Sequence, residues 1–274
     1  MGNCLITQLK GVIDNNNLPK FGELRITNTG SNIESIAIGY GGFSKEIYVI
    51  NGHFTDSTGQ EDLGTTQTLP SGNESYSKRF YITPGAILCL PDKYDIVSFI
   101  TGGNVELKYL EFDEDSFSYC TKIKYLALNG LNMPMNISAL KNMTKMTLFT
   151  LKGGFVQGDI ANLSNLTKVQ GTVEFGYNKF IYGDIVNLSV WKNVNVLVMT
   201  GTTISGSAKE FGDAMYNSGQ GRVSGTLSFN CDPYGNNKPT VTFPDPNTQE
   251  EKIINSCIME FTDSGVNYTP KFRA

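Results

Sequence analysis

A chain of 274 residues with 39% hydrophobic side chains, 18% charged ones and 29 glycines is long enough for one large domain or two ordinary ones, and it reads as neither a disordered tail nor a coiled coil. Its formal net charge of −4 leaves no basic surface to displace the counterions of nucleic acid or to hold an anionic membrane. The 13 tyrosines, 16 phenylalanines and abundant Thr, Asn and Gly favour many short strands over a helical bundle, because strands accept branched and aromatic side chains.

In chain order, Met1–Ile6 carries neither a basic region nor a long apolar core, so no secretory signal or transmembrane helix is expected there. Gly2 would head a myristoylation motif, but Ile6 stands where that motif wants Ser or Thr. From Cys4 to Phe112 short apolar runs are cut by turn clusters. The predicted strands are Leu24–Thr27, Ile33–Ile38, Glu46–Ile50, Phe80–Thr83, Ala86–Leu90, Ile96–Ile100 and Val105–Leu110. Asp14–Asn17, Asn28–Asn32, Gly41–Gly42, Pro70–Asn73 and Gly102–Asn104 supply the turns. This spacing predicts a β-sandwich or small barrel over residues 1–115. Within it, Asp56–Lys78 is polar and reads as a long exposed loop or arm. The acidic cluster Glu111, Asp113, Glu114 and Asp115 lacks the glycine a calcium loop needs at its turn, so it is read as a solvated junction before a second module, 116–274.

Chemistry-bearing residues are scarce. The single histidine, His53, excludes a three-histidine metal site, and its Asn51-Gly52-His53-Phe54 setting is read as structural or surface. Cys4, Cys89, Cys120, Cys231 and Cys257 include no C-x-x-C pair, which excludes zinc knuckles and thioredoxin-like motifs. Such scattered cysteines suit buried free thiols in a protein made in a reducing cytoplasm. With no G-x-S-x-G elbow, P-loop or dinucleotide fingerprint, no catalytic residue, cofactor or metal is expected.

Beyond Cys120 the sequence repeats. Asn136–Met143, Asp159–Leu166 and Asp184–Trp191 are copies of one pattern, and Ile137, Ile160, Ile185 and Ala208 follow one another at intervals of 23, 25 and 23 residues. Apolar columns recur with them: Leu140, Leu163, Leu188 and Phe211; Cys120, Met143, Leu166 and Trp191; Met133, Val156, Ile181 and Ile204. Strand cores align too, Ile123 and Tyr125 with Met146 and Leu148, then with Val194 and Val196, while two extra residues fall after Val169 in the middle copy. Gly158, Gly183 and Gly206 mark a recurrent turn. The pattern G-x-I-x-x-L-x-x-L over Cys120–Phe211 resembles leucine-rich repeats, whose period is roughly 20–29 residues. That resemblance implies a short solenoid whose units bury their edges only by stacking, and which needs a cap at each end. Ser207–Glu210 forms a capping box before a helix with Phe211 and Met215 on one face and an end at Asn217. The strands Ser224–Phe229, Pro239–Phe243 and Ile258–Phe261 would complete that C-terminal cap, about 207–274, with Thr248–Ile254 either a short helix or a strand.

Asp159 and Asp184 recur with the repeat and are read as turn formers bonded to their own backbone rather than as an acid/base pair. The Asn-x-Ser/Thr triplets at Asn73, Asn136, Asn142, Asn162, Asn165, Asn187 and Asn267 arise mostly from the repeat wording and are not taken as glycosylation sites. A repeat strand face is the expected working surface, with Thr147, Phe149, Gln170, Thr172, Glu174, Asn195 and Leu197 outward as partner-binding candidates.

The opening Met1–Gly11, the β module, the Gly-Asp-Ile-x-Asn-Leu repeats and Gly219–Leu227 together resemble virion proteins of tailed phages of gut Bacteroidales. The resemblance implies a non-enzymatic capsid-fibre or tail-appendage subunit, made in the bacterial cytoplasm and assembled into the particle. Its partners would be other virion proteins or copies of itself, a homotrimer among them, and a host-surface protein or glycan. The alternatives are a bacterial leucine-rich-repeat adhesion module and, last, a glycan-active enzyme.

Overall fold

The computed structural model describes residues 22–69, 77–101, 107–217, 228–231, 234–242, 253–254, 257–258 and 271–272. The opening segment, Cys4 and Gly219–Leu227 lie outside the described residues. The protein is mainly β, with several open sheets and few helices. Its first strands are β1 (Leu24–Asn28), β2 (Glu34–Tyr40), β3 (Lys45–Ile50), β4 (Phe54–Thr55), β5 (Thr66–Leu69), β6 (Lys78–Ile82), β7 (Ile87–Leu90), β8 (Ile96–Ile100) and β9 (Leu110–Phe112). Five of them form an antiparallel sheet in the order β5-β3-β7-β1-β9. Strands β8, β2, β6 and β4 form one end of a second sheet. The inner faces of the two meet, with the rings of Phe99 and Phe112 edge to face at 5.8 Å. Open edges rule out the small barrel as the alternative to a sandwich.

Asp56–Lys78 is not one long loop. Asp56 closes a tight turn by accepting the hydroxyl of Thr58 at 2.6 Å and the amides of Gln60 and Glu61, and Thr66–Leu69 then pairs with β3. The acidic junction is also built in. Asp113 caps the one-turn helix α1 (Glu114–Phe117) by accepting the amides of Asp115 and Ser116, and Glu114 accepts the amide of Asn136 at 2.8 Å.

After α1 come β10 (Tyr125–Ala127), β11 (Met135–Asn136), β12 (Leu148–Thr150), β13 (Val156–Asp159), β14 (Gln170–Glu174), β15 (Phe180–Asp184), β16 (Asn193–Val198), β17 (Thr203–Ser207), helix α2 (Ala208–Asn217), β18 (Ser228–Asn230) and β19 (Thr240–Thr242). Three short strands, β20 (Ile253–Ile254), β21 (Cys257–Ile258) and β22 (Lys271–Phe272), pair with one another, so Ile253–Ile254 is strand rather than helix. Each coil of the repeat adds one parallel strand to the second sheet and one to a third, ordered β11-β13-β15-β17-β19. Between those strands a 3-10 turn (Ile137–Leu140, Ile160–Leu163, Ile185–Leu188) stacks on its neighbour, with α1 packed on the first and α2 on the last. Strand β8 pairs in parallel with β10, so a single nine-stranded sheet, β18-β16-β14-β12-β10-β8-β2-β6-β4, runs from one half of the chain into the other.

The core is correspondingly continuous. Register alone aligns Phe99, Leu126, Phe149, Val173, Leu197 and Phe229 across the second sheet, all buried. The repeat columns are buried as expected, except that Met133 is only partly so and Met135, paired with Val156, takes its place. The two extra residues of the middle repeat are split: one falls between Val169 and Val173, where Gly171 has φ +73°, and one between Phe175 and Ile181. In the turn after the strand, Gly130, Gly153 and Gly201 have φ near +70°, and Tyr177 takes the same left-handed conformation at +66°.

Candidate binding surfaces

The outer face of the parallel ladder carries the predicted partner-binding residues only in part. Gln170, Thr172 and Asn195 are exposed, and Glu174 is half-buried with its carboxylate 3.5 Å from the Lys152 ammonium. Thr147 is half-buried, donating its hydroxyl to the Lys124 carbonyl at 3.1 Å. Phe149 and Leu197 are corrections, since both point into the core. The ring of Phe149 lies 5.7 Å from that of Phe175 and 6.3 Å from that of Trp191. The reason is a misread period. Inward residues follow the spacing of Ile123-x-x-Leu126-x-Leu128, repeated in Met146-x-x-Phe149-x-Leu151 and Val194-x-x-Leu197-x-Met199, so Tyr125, Leu148 and Val196 are outward rather than core. Strand β16 reaches that spacing through a bulge at Asn195, because Gly171 pairs with Val194 but Thr172 with Val196.

The surface therefore consists of two rows: Ala127–Thr150–Glu174–Val198, in direct cross-strand register throughout, and beside it the pairs Tyr125–Leu148 and Thr172–Val196. Leu148 is 42% exposed. The i, i+3 spacing of apolar residues was the signal that would have identified these rows.

Asp159 and Asp184 have the local role read for them. Each caps its 3-10 turn, accepting the amides of Ala161 and Val186 at 2.8 and 2.9 Å, and Asn136 does the same for Ser138. The glycine one coil later, Gly158, Gly183 or Gly206, has φ near +120° and packs so closely on that cap that a Cβ would meet its oxygen at 2.9, 2.2 or 2.3 Å. One structural residue was missed entirely. Asn178 is fully buried, donates its side-chain amide to the carbonyls of Leu151 and Phe175, and accepts the amides of Gly154 and Val156 at 3.2 and 3.3 Å. Its signal was present in Val173-x-Phe175-x-x-Asn178, the L-x-L-x-x-N segment of a leucine-rich repeat.

Other ionisable groups are tied into the framework. On the outer side of the antiparallel sheet, Glu23 accepts from Arg25 Nε at 2.9 Å and from the Tyr48 hydroxyl; burial first, then this bond, pushes the Tyr48 phenol far above its usual range. Burial holds the Cys120 thiol up at about 12, with Lys93 pulling the other way. Cys89, Cys120 and Cys231 are buried free thiols. His53 is half-buried and held through its backbone by Thr83. Among the described residues no three His, Cys, Asp or Glu side chains converge as a metal set, and no helix is long and apolar enough to cross a membrane.

No protein-family model and no curated protein matches the chain. Among solved structures it is similar to the plant peptide hormone receptor RGFR1 in complex with RGF2, at 20% identity and a TM-score of 0.37, over 48% of this chain and 19% of the receptor. It is also similar to internalin C2 of Listeria monocytogenes, at 10% identity and a TM-score of 0.27, over 59% of this chain and 80% of that one. Both are leucine-rich-repeat proteins. The chain thus spans about a fifth of the length of the receptor it matches.

Proposed function

We propose that the chain is a non-enzymatic binding and structural protein: a short leucine-rich-repeat-like solenoid, capped by the N-terminal β module and by α2, that offers the outer face of its parallel ladder to a protein partner. The observation that carries this reading is the pair of surface rows through Leu148 and Thr150. In-register strands set neighbouring side chains of each row about 4.8 Å apart on a rigid backbone. Little ordering entropy is then lost when a partner docks. Tyr125 and the exposed Leu148 supply the aromatic and apolar contacts, and Thr172, Thr150 and Glu174 the polar ones, that an interface between separately folded proteins combines.

The sequence resemblance supports a finer placement, as a capsid-fibre or tail-appendage subunit made in the bacterial cytoplasm and assembled into a phage particle. A photo-crosslinking residue at Leu148 or Thr172 in assembled particles is expected to capture a neighbouring protein, whereas one at Lys141, on the outside of a 3-10 turn, is not. Capture only from Lys141 overturns the assignment of the face, and purified particles that lack the chain by mass spectrometry overturn the virion placement. The same face serves the second reading, a bacterial repeat adhesion module, which genes neighbouring this one separate from the first: capsid, portal and tail genes favour the virion.

A further inference from the structure

The third sheet carries chemistry that the protein-binding face does not use. Phe180 and Tyr182 stand two residues apart on β15, both outward, and are 50% and 51% exposed. Alternate residues share one face of a strand about 6–7 Å apart, so the two rings form a platform along it. A groove of about 610 Å³ lies beside them, lined also by Gln157 of β13, Lys179, Thr203 of β17 and Asn237. No carboxylate lines it among the described residues, and its cation is already engaged, the Lys179 ammonium lying 4.8 Å from the centre of the Phe180 ring. Among the described residues the side-chain amides of Gln157 and Asn237 and the hydroxyl of Tyr182 make no hydrogen bond, so donors and acceptors stand unused around the rings.

We propose that this groove is a binding site for a neutral oligosaccharide. A pyranose presents a flat face of C–H groups and a rim of hydroxyls. It therefore needs an apolar platform flanked by uncharged donors and acceptors, which is what Phe180, Tyr182, Gln157 and Asn237 provide. An anionic sugar calls for a cluster of cations, and among the described residues Lys179 alone lines the groove, its ammonium over the Phe180 ring. A peptide pairs its backbone most fully at the hydrogen-bonding edge of a sheet, whereas this groove lies on the face, where recognition falls to ring surfaces and side-chain amides. The site is on a different sheet from the Leu148 face and stands or falls independently of it.

The test is calorimetric titration of the full chain with cellohexaose, maltohexaose and mannohexaose, with an oligogalacturonate and a neutral hexapeptide as comparisons. At least one neutral sugar should bind. Tyr182→Ala should weaken it by about tenfold or more, Tyr182→Phe much less because the ring remains, and Leu148→Asp should leave it unchanged. Circular dichroism checks that the variants fold, and Phe180→Ser replaces Tyr182→Ala if the latter does not. The proposal is overturned if none of the neutral sugars binds, if only the anionic sugar or the peptide binds, or if Leu148→Asp weakens binding as much as Tyr182→Ala.

Discussion

Replacing Asn178 by Ala tests whether one buried side chain fastens the middle coil to the coil before it. The amide is fully buried and its partners lie in two consecutive coils: Gly154, Val156 and Leu151 in one, Phe175 in the other. In Asn178→Ala the Gly154 and Val156 N–H groups lose the acceptor the structure shows for them. A buried polar group left unsatisfied costs about 1–3 kcal/mol. Two such groups, eased by some relaxation or an entering water, make the expected loss about 2–4 kcal/mol, a large share of a stability that is typically about 5–15 kcal/mol. Urea unfolding followed by far-ultraviolet circular dichroism and by the fluorescence of Trp191 measures it, provided the two probes coincide. Asn178→Asp refines the test, because the carboxylate keeps both acceptor bonds but turns an oxygen toward the Leu151 and Phe175 carbonyls. Burial and those dipoles should raise its pKa above the unfolded value near 3.9. A raised folded pKa means stability that is present below the unfolded value and lost as pH rises through the folded one. Relative to the wild type, the Asp variant should therefore be least impaired near pH 4 and worst at neutral pH. A loss below about 1 kcal/mol for the Ala variant would refute the stapling role.

Leu163→Ala and Leu188→Ala each empty a fully buried position in the stacked apolar columns and should cost about 2–5 kcal/mol in the same unfolding assay. Gly183→Ala should cost about 2–4 kcal/mol, because φ of +119° strains any side chain and the new Cβ would displace the Asp159 cap 2.2 Å away; Gly42→Ala, at φ +102° with nothing within 4 Å, isolates the strain alone and should cost less. Asp56 should titrate at about 2, held there chiefly by the Thr58 hydroxyl and helped by the amides of Glu61, Gln60 and Gly59 against desolvation, so the turn's contribution is present above the ordinary carboxylate pKa and lost as pH falls through about 2; Thr58→Val should move the NMR titration toward the usual range.

Sequence reasoning reached furthest where the physics is local or strictly periodic. The Ser207 cap is an example: its hydroxyl accepts the Glu210 amide at 3.2 Å, and α2 buries Phe211 and Met215 and ends at Asn217 as the capping box and apolar face required. The 23- and 25-residue intervals likewise located Ile137, Ile160, Ile185 and Ala208, all buried. What it misjudged was direction within a strand. Treating Met146 and Leu148 as alternating core residues put Phe149 outside, because strict alternation ignores the extra outward residue that the i, i+3 spacing inserts before each strand. The polar stretch after Asp56 concealed β5 for a different reason: an edge strand with exposed Thr66 and Thr68 has only Leu69 fully buried, too little apolar content to read as a strand.

How the two halves meet was the least legible feature, because it depends on pairing between distant segments. Nothing in Ile96–Ile100 or Tyr125–Ala127 taken singly says that the strands will lie side by side in parallel, yet Ser98, Phe99 and Ile100 face Tyr125, Leu126 and Ala127. An unpaired β10 would expose both its backbone edge and the inward ridge that begins with Leu126, and exposed edges of this kind recruit other chains. Strand β8 satisfies the edge, and Phe99 continues the ridge, stacking edge-on with Phe117 at 5.2 Å where α1 starts the column of 3-10 turns. The antiparallel half is thus an N-terminal cap whose strand β8 serves as the first rung of the repeat ladder, paired to β2 on one side and to β10 on the other. The glycine-rich, weakly charged composition fits that role: glycines seat each coil on the Asn136, Asp159 or Asp184 cap of the one before, and the coils approach chiefly through apolar columns and backbone hydrogen bonds, with the Lys152–Glu174 pair on the outer face.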